Sequence, residues 1–145
     1  MKGHYENYVA PWLGKTMKMI DHRLEELLEE HHIDITNMQF AVLKTVARQE
    51  GISQNKLAMF ADRDKSSLTR MIATLERKDY VRREASREDK RVNAVYITDR
   101  GKEIIRIAAP LLNRFALQVE EGLSEEEINT TIKIMKKIQD NMTSF

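Results

Sequence analysis

Residues 64–98, DKSSLTRMIATLERKDYVRREASREDKRVNAVYIT, constrain this chain more than any other stretch, because the hydrophobic period changes once within them and cations lie on both sides of the change. In the first half Leu68, Met71, Ile72 and Leu75 recur at i, i+3, i+4 and i+7, the spacing of one apolar stripe on a helix. Ser66, Ser67, Thr69, Arg70, Ala73, Thr74 and Arg77 take up the rest of the circumference. Asp64 stands where a carboxylate accepts the free amides of a helix start. A helix entering a major groove needs small residues where its backbone nears the base edges and long cations where it passes phosphates. Ser66, Ser67 and Ala73 against Arg70 and Arg77 meet both needs. An ordinary solvated helix face has the same pattern, so this helix alone decides nothing.

The second half breaks the tie. Residues 80–84 and 92–97 are rich in β-branched and aromatic side chains with period-two character, which predicts two strands. Between them runs Ala85-Ser86-Arg87-Glu88-Asp89-Lys90-Arg91. A hairpin turned only toward water more often closes through Asn-Gly or Asp-Gly, and this connection has no glycine. Its tip offers Arg87, Lys90 and Arg91 to a polyanion, as the enhanced negative potential of a narrow minor groove favours. Upstream, 52–61 reads as a short helix capped by Ser53, with Leu57, Ala58 and Ala61 inward and a brief connection through Asp62 and Arg63. Two helices joined by such a turn and followed by a two-stranded wing make a winged helix-turn-helix.

The residues in order, Met38-Gln39-Phe40-Ala41-Val42-Leu43, Leu57-Ala58, Lys65-Ser66-Ser67-Leu68-Thr69-Arg70, Leu75-Glu76-Arg77-Lys78, Val81-Arg82-Arg83, Asp89-Lys90-Arg91 and Ile97-Thr98-Asp99-Arg100-Gly101, resemble the MarR family of bacterial and archaeal transcription regulators. The resemblance covers nearly the whole chain. Its most specific parts are the Asp-x-Arg of the wing, the Thr-Arg of the recognition helix and the Thr-x-x-Gly that opens the next helix. Asp79 departs from the pattern, standing where the family usually has glycine, and a left-handed backbone there is tolerable for Asp.

The resemblance implies a sequence-specific regulator of double-stranded DNA, most simply a repressor. Arg91 would enter the minor groove with Asp89 orienting it. Lys65, Ser66, Ser67, Thr69, Arg70 and Arg77 would face the major groove and its phosphates, joined by Ser53 and Gln54 and by Arg87 and Lys90 of the wing. It also implies a small aromatic or phenolic effector in a crevice to which Trp12, Met17, Met19, His22, Phe40 and Leu43 would contribute, although a Met in such a set is more often plain core.

The flanks read as long amphipathic helices. Leu13, Met17, Ile20, Leu24, Leu27 and His31 form a heptad-like seam, and Thr36 with Gln39 makes a capping box before a helix whose inner face is Phe40, Leu43 and Ala47. Thr98 caps a helix carrying Ile104, Ala108, Leu111, Leu112, Phe115 and Val119, in which Pro110 predicts a bend near 108–110. Ser124 and Glu127 form a second capping box ahead of Ile128, Ile132, Met135, Ile138 and Met142. A winged helix covers its own core, so these seams need another surface: a second copy of the chain, or their own domain if they fold back. The family's two-fold dimer favours the former and implies a pseudo-palindromic operator.

The expected architecture is therefore mainly α, an α+β winged helix of about six helices with a small antiparallel wing. Residues 36–97 would form the winged helix-turn-helix, and 1–35 with 98–145 the helical dimerisation region. A formal net charge of +1 is small for a DNA-binding chain, but residues 51–100 hold 12 Lys/Arg against 8 Asp/Glu, so the cations concentrate on the candidate reading head. With no cysteine, thiol nucleophiles, cysteine-based zinc sites and cysteine redox sensing are excluded. No phosphate-binding loop, dinucleotide fingerprint or Ser/His/Asp arrangement occurs, so neither an enzyme nor a cofactor is expected. His31 and His32 point about 100° apart on a helix, which suits a solvated helix end better than a metal site. No apolar run spans a bilayer and the first residues lack a signal-like segment, so a cytoplasmic protein is expected. The rival reading of the same fold is a winged helix used for protein–protein assembly.

Overall fold

The structure is a computed structural model that describes residues 4–61 and 63–144; Asp62, in the expected inter-helix connection, lies outside them. After a 3₁₀ turn at Tyr5–Asn7, the elements are α1 (Val9–Glu30), α2 (Asn37–Arg48), β1 (Ile52–Ser53), α3 (Gln54–Phe60), α4 (Lys65–Arg77), β2 (Val81–Ala85), β3 (Asn93–Ile97), α5 (Asp99–Val119) and α6 (Glu125–Thr143). The chain divides into two compact units, one running to Leu111 and one from Leu112. The expected winged helix with six α-helices is what folds.

In the first unit the interior is built from Val42, Leu43 and Val46 of α2, Leu57 of α3, Leu68, Ile72 and Leu75 of α4, and Val81 and Val95 of the sheet, all fully buried. Each such side chain contributes about 1.5–3 kcal/mol relative to exposure, so the stripe along α4 fixes which face of that helix is left for water. Met71, the fourth residue of the expected stripe, is half-buried at its edge. On α2 the inward face is rotated from expectation. Ala47 is exposed, and Val42 and Val46 join Phe40 and Leu43 inside, so the buried face centres on 42, 43 and 46 and turns away from 47.

The sheet has the order β1-β3-β2, antiparallel throughout. Val81 pairs with Ile97 and Ala85 with Asn93 across the wing, while Ile52 pairs with Val95 on the other edge of β3. Ile52, expected as the start of a helix, is thus a strand residue, and the helix begins after its cap Ser53, whose Oγ accepts the Lys56 N–H at 3.2 Å. Two residues are too few to show a period. Ala94 and Val95 point to opposite faces and are both buried, as a central strand requires.

Two helices end on left-handed residues that are not glycine. At the end of α1, His32 (φ 54°) donates to Glu29 O and Ile33 to Leu28 O; at the end of α4, Asp79 (φ 60°) donates to Glu76 O and Tyr80 to Leu75 O. Both are Schellman closures, and in each the residue after the turn, Ile33 or Tyr80, is buried beside a buried leucine of the last turn, Leu28 or Leu75. The left-handed Asp79 expected from the sequence is present.

Thr98 then ties the wing to α5. Its hydroxyl donates to Asp79 O at 2.6 Å and accepts the Gly101 N–H at 2.9 Å, while its own N–H donates to Tyr80 O at 3.1 Å. A Cβ on Gly101 would lie 2.1 Å from Tyr80 O, so the Thr-x-x-Gly spacing has a steric cause. α5 runs through Pro110 as one helix. In the second unit Leu112 and Phe115 are buried, whereas α6, opened by the expected Ser124–Glu127 capping box, buries no residue.

Candidate nucleic-acid interface

The interface is built on the start of α4. Asp64 Oδ1 accepts the Ser67 N–H at 2.8 Å and Oδ2 accepts the Ser67 hydroxyl at 2.9 Å; the backbone bond, then the hydroxyl, holds the Asp64 carboxyl below its ordinary value. The Ser67 Oγ in turn sits 3.5 Å from Arg70 Nη2. Along the same helix the Thr69 hydroxyl donates to Lys65 O at 2.7 Å and the Thr74 hydroxyl to Arg70 O at 3.0 Å, and Arg77 Nη2 donates to Thr74 Oγ1 at 3.1 Å. The consequence is chemical. Ser67, Thr69 and Thr74 have their protons committed within the chain, and the oxygens of Ser67 and Thr74 also accept from Arg70 and Arg77, so the donors left on α4 are Lys65, the remaining N–H groups of Arg70 and Arg77, and the Ser66 hydroxyl, which makes no hydrogen bond among the described residues.

In the wing the cations divide into used and unused. Arg82 pairs with Glu84 and lies 4.5 Å over the Tyr96 ring. Arg83 reaches back to α4: Glu76 Oε1 accepts from Nη2 at 2.9 Å and Nε at 3.3 Å, and Oε2 accepts the Arg83 backbone N–H at 3.0 Å. These bonds, the guanidinium first, hold the Glu76 carboxyl below its ordinary value. At the tip, Ser86 N–H donates to Val92 O at 2.8 Å and Val92 N–H to Asp89 O at 3.0 Å. Asp89 Oδ1 accepts the Arg91 backbone N–H at 2.9 Å, so the carboxylate acts on Arg91 through the turn, with no contact to its guanidinium. Among the described residues no hydrogen bond or ion pair engages the side chains of Lys65, Arg87, Lys90 or Arg91, all of which are exposed.

The two cationic elements meet at a notch of about 170 Å³ bordered by Gln54, Asn55, Lys65, Thr69, Arg91 and Asn93. Ser53, the α3 cap, lies instead in a neighbouring depression with Lys56, Glu88 and Asp89. Asn55 and Asn93 were not candidates from sequence, because neither carries a charge, lies on an apolar repeat or falls at a position that the resemblance marks.

A family model, the MarR family, matches residues 35–92. Over 126 residues the chain is 30% identical to the Transcriptional regulator HosA of Escherichia coli O157:H7, spanning 82% of this chain and 93% of that protein. The chain belongs to the MarR family. Among solved structures, a mutant E. coli MarR complexed with operator DNA is 28% identical with a TM-score of 0.77, covering 94% of this chain and 99% of that one. Bordetella bronchiseptica BpsR, in a structure on the regulation of its DNA binding by 6-hydroxynicotinic acid, has a TM-score of 0.87 at 17% identity, over 97% and 99% of the two chains, a likeness of fold.

For a MarR-family chain the placement of the candidate effector residues is uneven. Met19 and His22 border one groove along α1, of about 550 Å³, with Lys15, Lys18, Asp21 and Glu25. Met17 and Trp12 are exposed on the same helix outside that lining, Trp12 Nε1 donating to Glu6 O at 2.9 Å. Phe40 and Leu43 lie inside, Leu43 with 0% exposure, so in the single chain they are core. His31 Nδ1 lies 2.9 Å from Leu27 O at the end of α1. No helix of the described residues is long and apolar enough to cross a membrane.

Proposed function

We propose that this chain acts as a homodimeric repressor that reads a pseudo-palindromic operator, with α4 in the major groove and the wing tip in the adjacent minor groove. One observation carries the reading: unpaired Lys65 on α4 and unpaired Arg91 on the wing border a single notch, so the two elements that would enter neighbouring grooves present one continuous cationic edge. Lys65, Arg70 and Arg77 then supply donors to phosphates and bases, Ser66 and Ser67 read base edges, and Arg87, Lys90 and Arg91 serve the minor groove. Ser53, Gln54, Thr69 and Asp89 shape or flank that edge. Residues 36–97 are the reading head, and 1–35 with 98–145 the dimerisation region. The regulation of BpsR DNA binding by 6-hydroxynicotinic acid supports a small aromatic or phenolic effector, with Trp12, Met17, Met19 and His22 as its exposed candidate contacts. We assign the chain no catalytic role and a cytoplasmic location. A gel shift on fragments of the source genome tests the reading. Retention of a defined subset, lost on adding unlabelled copies of that subset, is the expected result, and absence of any shift at low salt would refute it.

A further inference from the structure

Resting on the DNA-binding reading, we infer that the notch between α4 and the wing is a seat for one phosphodiester of the DNA strand that separates the two grooves, and that Asn55 and Asn93 are two of its donors. A protein with one element in the major groove and another in the next minor groove must let a sugar-phosphate strand pass between them. That strand meets the space between Lys65 on one side and Arg91 on the other. The polar side chains bordering this space are Gln54, Asn55, Lys65, Thr69, Arg91 and Asn93, two cations and three amides without a single carboxylate. Among the described residues none of the five donor side chains makes a hydrogen bond or ion pair within the chain, while the Thr69 proton is already committed to Lys65 O. Convergent unsatisfied donors around a space free of acid are complementary to a phosphate, which offers only acceptors. The neighbouring depression makes the contrast. It is lined by Glu50, Glu88 and Asp89 against the single cation Lys56, an acidic excess that favours a phosphate in the notch over the depression. Phosphate contact carries no base information, so the seat sets the register of α4 on the duplex.

The test uses the full chain and a labelled duplex of randomised sequence, with anisotropy followed across a sodium chloride series. Asn55→Asp and Asn93→Asp each place a carboxylate in the notch and are expected to weaken binding about tenfold at moderate salt. Asn55→Ala removes a neutral donor and is expected to weaken binding about threefold with the salt slope unchanged, whereas Lys65→Ala lowers the slope by about one. Asn37→Asp, at the start of α2, makes the same charge change outside both the notch and the dimerisation region and calibrates the general effect of one added negative charge. All of these positions are exposed, and thermal unfolding of each variant confirms an intact fold. If wild type binds and the two notch variants bind no worse than Asn37→Asp, or if Asn55→Ala matches wild type, the seat is overturned while the DNA-binding reading stands. If wild type binds no duplex at low salt, the DNA-binding reading falls and the seat falls with it.

Discussion

Glu76, in the last full turn of α4, holds both the guanidinium and the backbone N–H of Arg83 on β2, so a single carboxylate fastens the recognition helix to the first strand of the wing. The side chains are only partly covered, 38% and 28% exposed, which limits the energy of the ion pair. The fastening also fixes the distance between α4 and the wing tip, which in the proposed reading sets the groove-to-groove spacing.

Glu76→Ala is expected to lower stability by about 1 kcal/mol, the screened pair and the lost backbone bond together, measured by urea unfolding. The pH dependence has a definite sign. The folded-state value lies below the ordinary 4.5, so the stabilisation is fully present above 4.5 and is lost as pH falls through the depressed value. The gap between wild type and Glu76→Ala should therefore stay constant from neutral pH down to that region and close below it. A gap that widens on acidification would contradict the assignment.

Gly101→Ala tests the joint between α4, the wing and α5. The added methyl would stand 2.1 Å from Tyr80 O and 2.9 Å from Ile97 Cγ1, and the first of these is backbone that cannot step aside. We expect destabilisation at or above the usual overpacking cost of about 1–3 kcal/mol, read as a lowered urea midpoint. Near-wild-type stability would mean that the start of α5 shifts freely.

Asp79→Gly should act in the opposite direction. The left-handed φ of 60° costs a residue with a Cβ roughly 1 kcal/mol, and glycine relieves it, with some of the gain offset by the freer unfolded chain. Differential scanning calorimetry should show a raised Tm, and a lowered one would show that the Asp side chain itself stabilises the turn.

At the wing tip, Arg91→Ala is expected to weaken operator binding by about 1–3 kcal/mol without changing helicity or association state. Asp89→Ala should weaken it too, by a different route. Its carboxylate holds the Arg91 backbone N–H, so its removal loosens the turn that aims Arg87, Lys90 and Arg91. A double variant that loses less than the sum of the two single losses is the expected cycle, because part of the Asp89 effect acts through Arg91, and strictly additive losses would assign Asp89 an independent contact.

Much of this architecture was legible because it repeats. The α4 stripe, the capping boxes at Thr36 and Ser124, the Asp64 cap and the strands flanking a glycine-free charged tip are all local patterns with a physical period or a fixed offset. β1 was not legible, since two residues carry no period and its existence depends on Val95, far along the chain. The inward face of α2 was misread at Ala47 because Val42 and Val46 draw the buried face toward their side of the helix. For the same reason charge counting overstated the free cations of the wing. Arg82 and Arg83 are among the 12 cations counted in residues 51–100, yet both are spent on Glu84, Tyr96 and Glu76, pairings that only the folded register brings together.

The terminal helices supply the remaining prediction. Ile132 of α6 is 47% exposed and Met142 62%, and no residue of that helix is buried in the single chain, although Ile128, Ile132, Met135, Ile138 and Met142 keep helical spacing. A repeat of large apolar residues that is nowhere fully covered, with Ile128, Met135 and Ile138 half-buried and Ile132 and Met142 exposed, is what an obligate interface looks like before its partner is added, and such interfaces commonly bury about 2,000–5,000 Å². Ile132→Lys keeps helix propensity high while placing an unpaired charge in that surface, so any loss reflects the interface and not the helix. We expect the variant to sediment as a monomer at concentrations where wild type is a dimer, to unfold at lower urea, and to lose tight binding to a two-half-site operator while keeping weak, salt-sensitive binding. A well-folded Ile132→Lys monomer with undiminished operator affinity would show that α6 serves its own chain alone, and a two-fold reading of the operator would then have no structural basis.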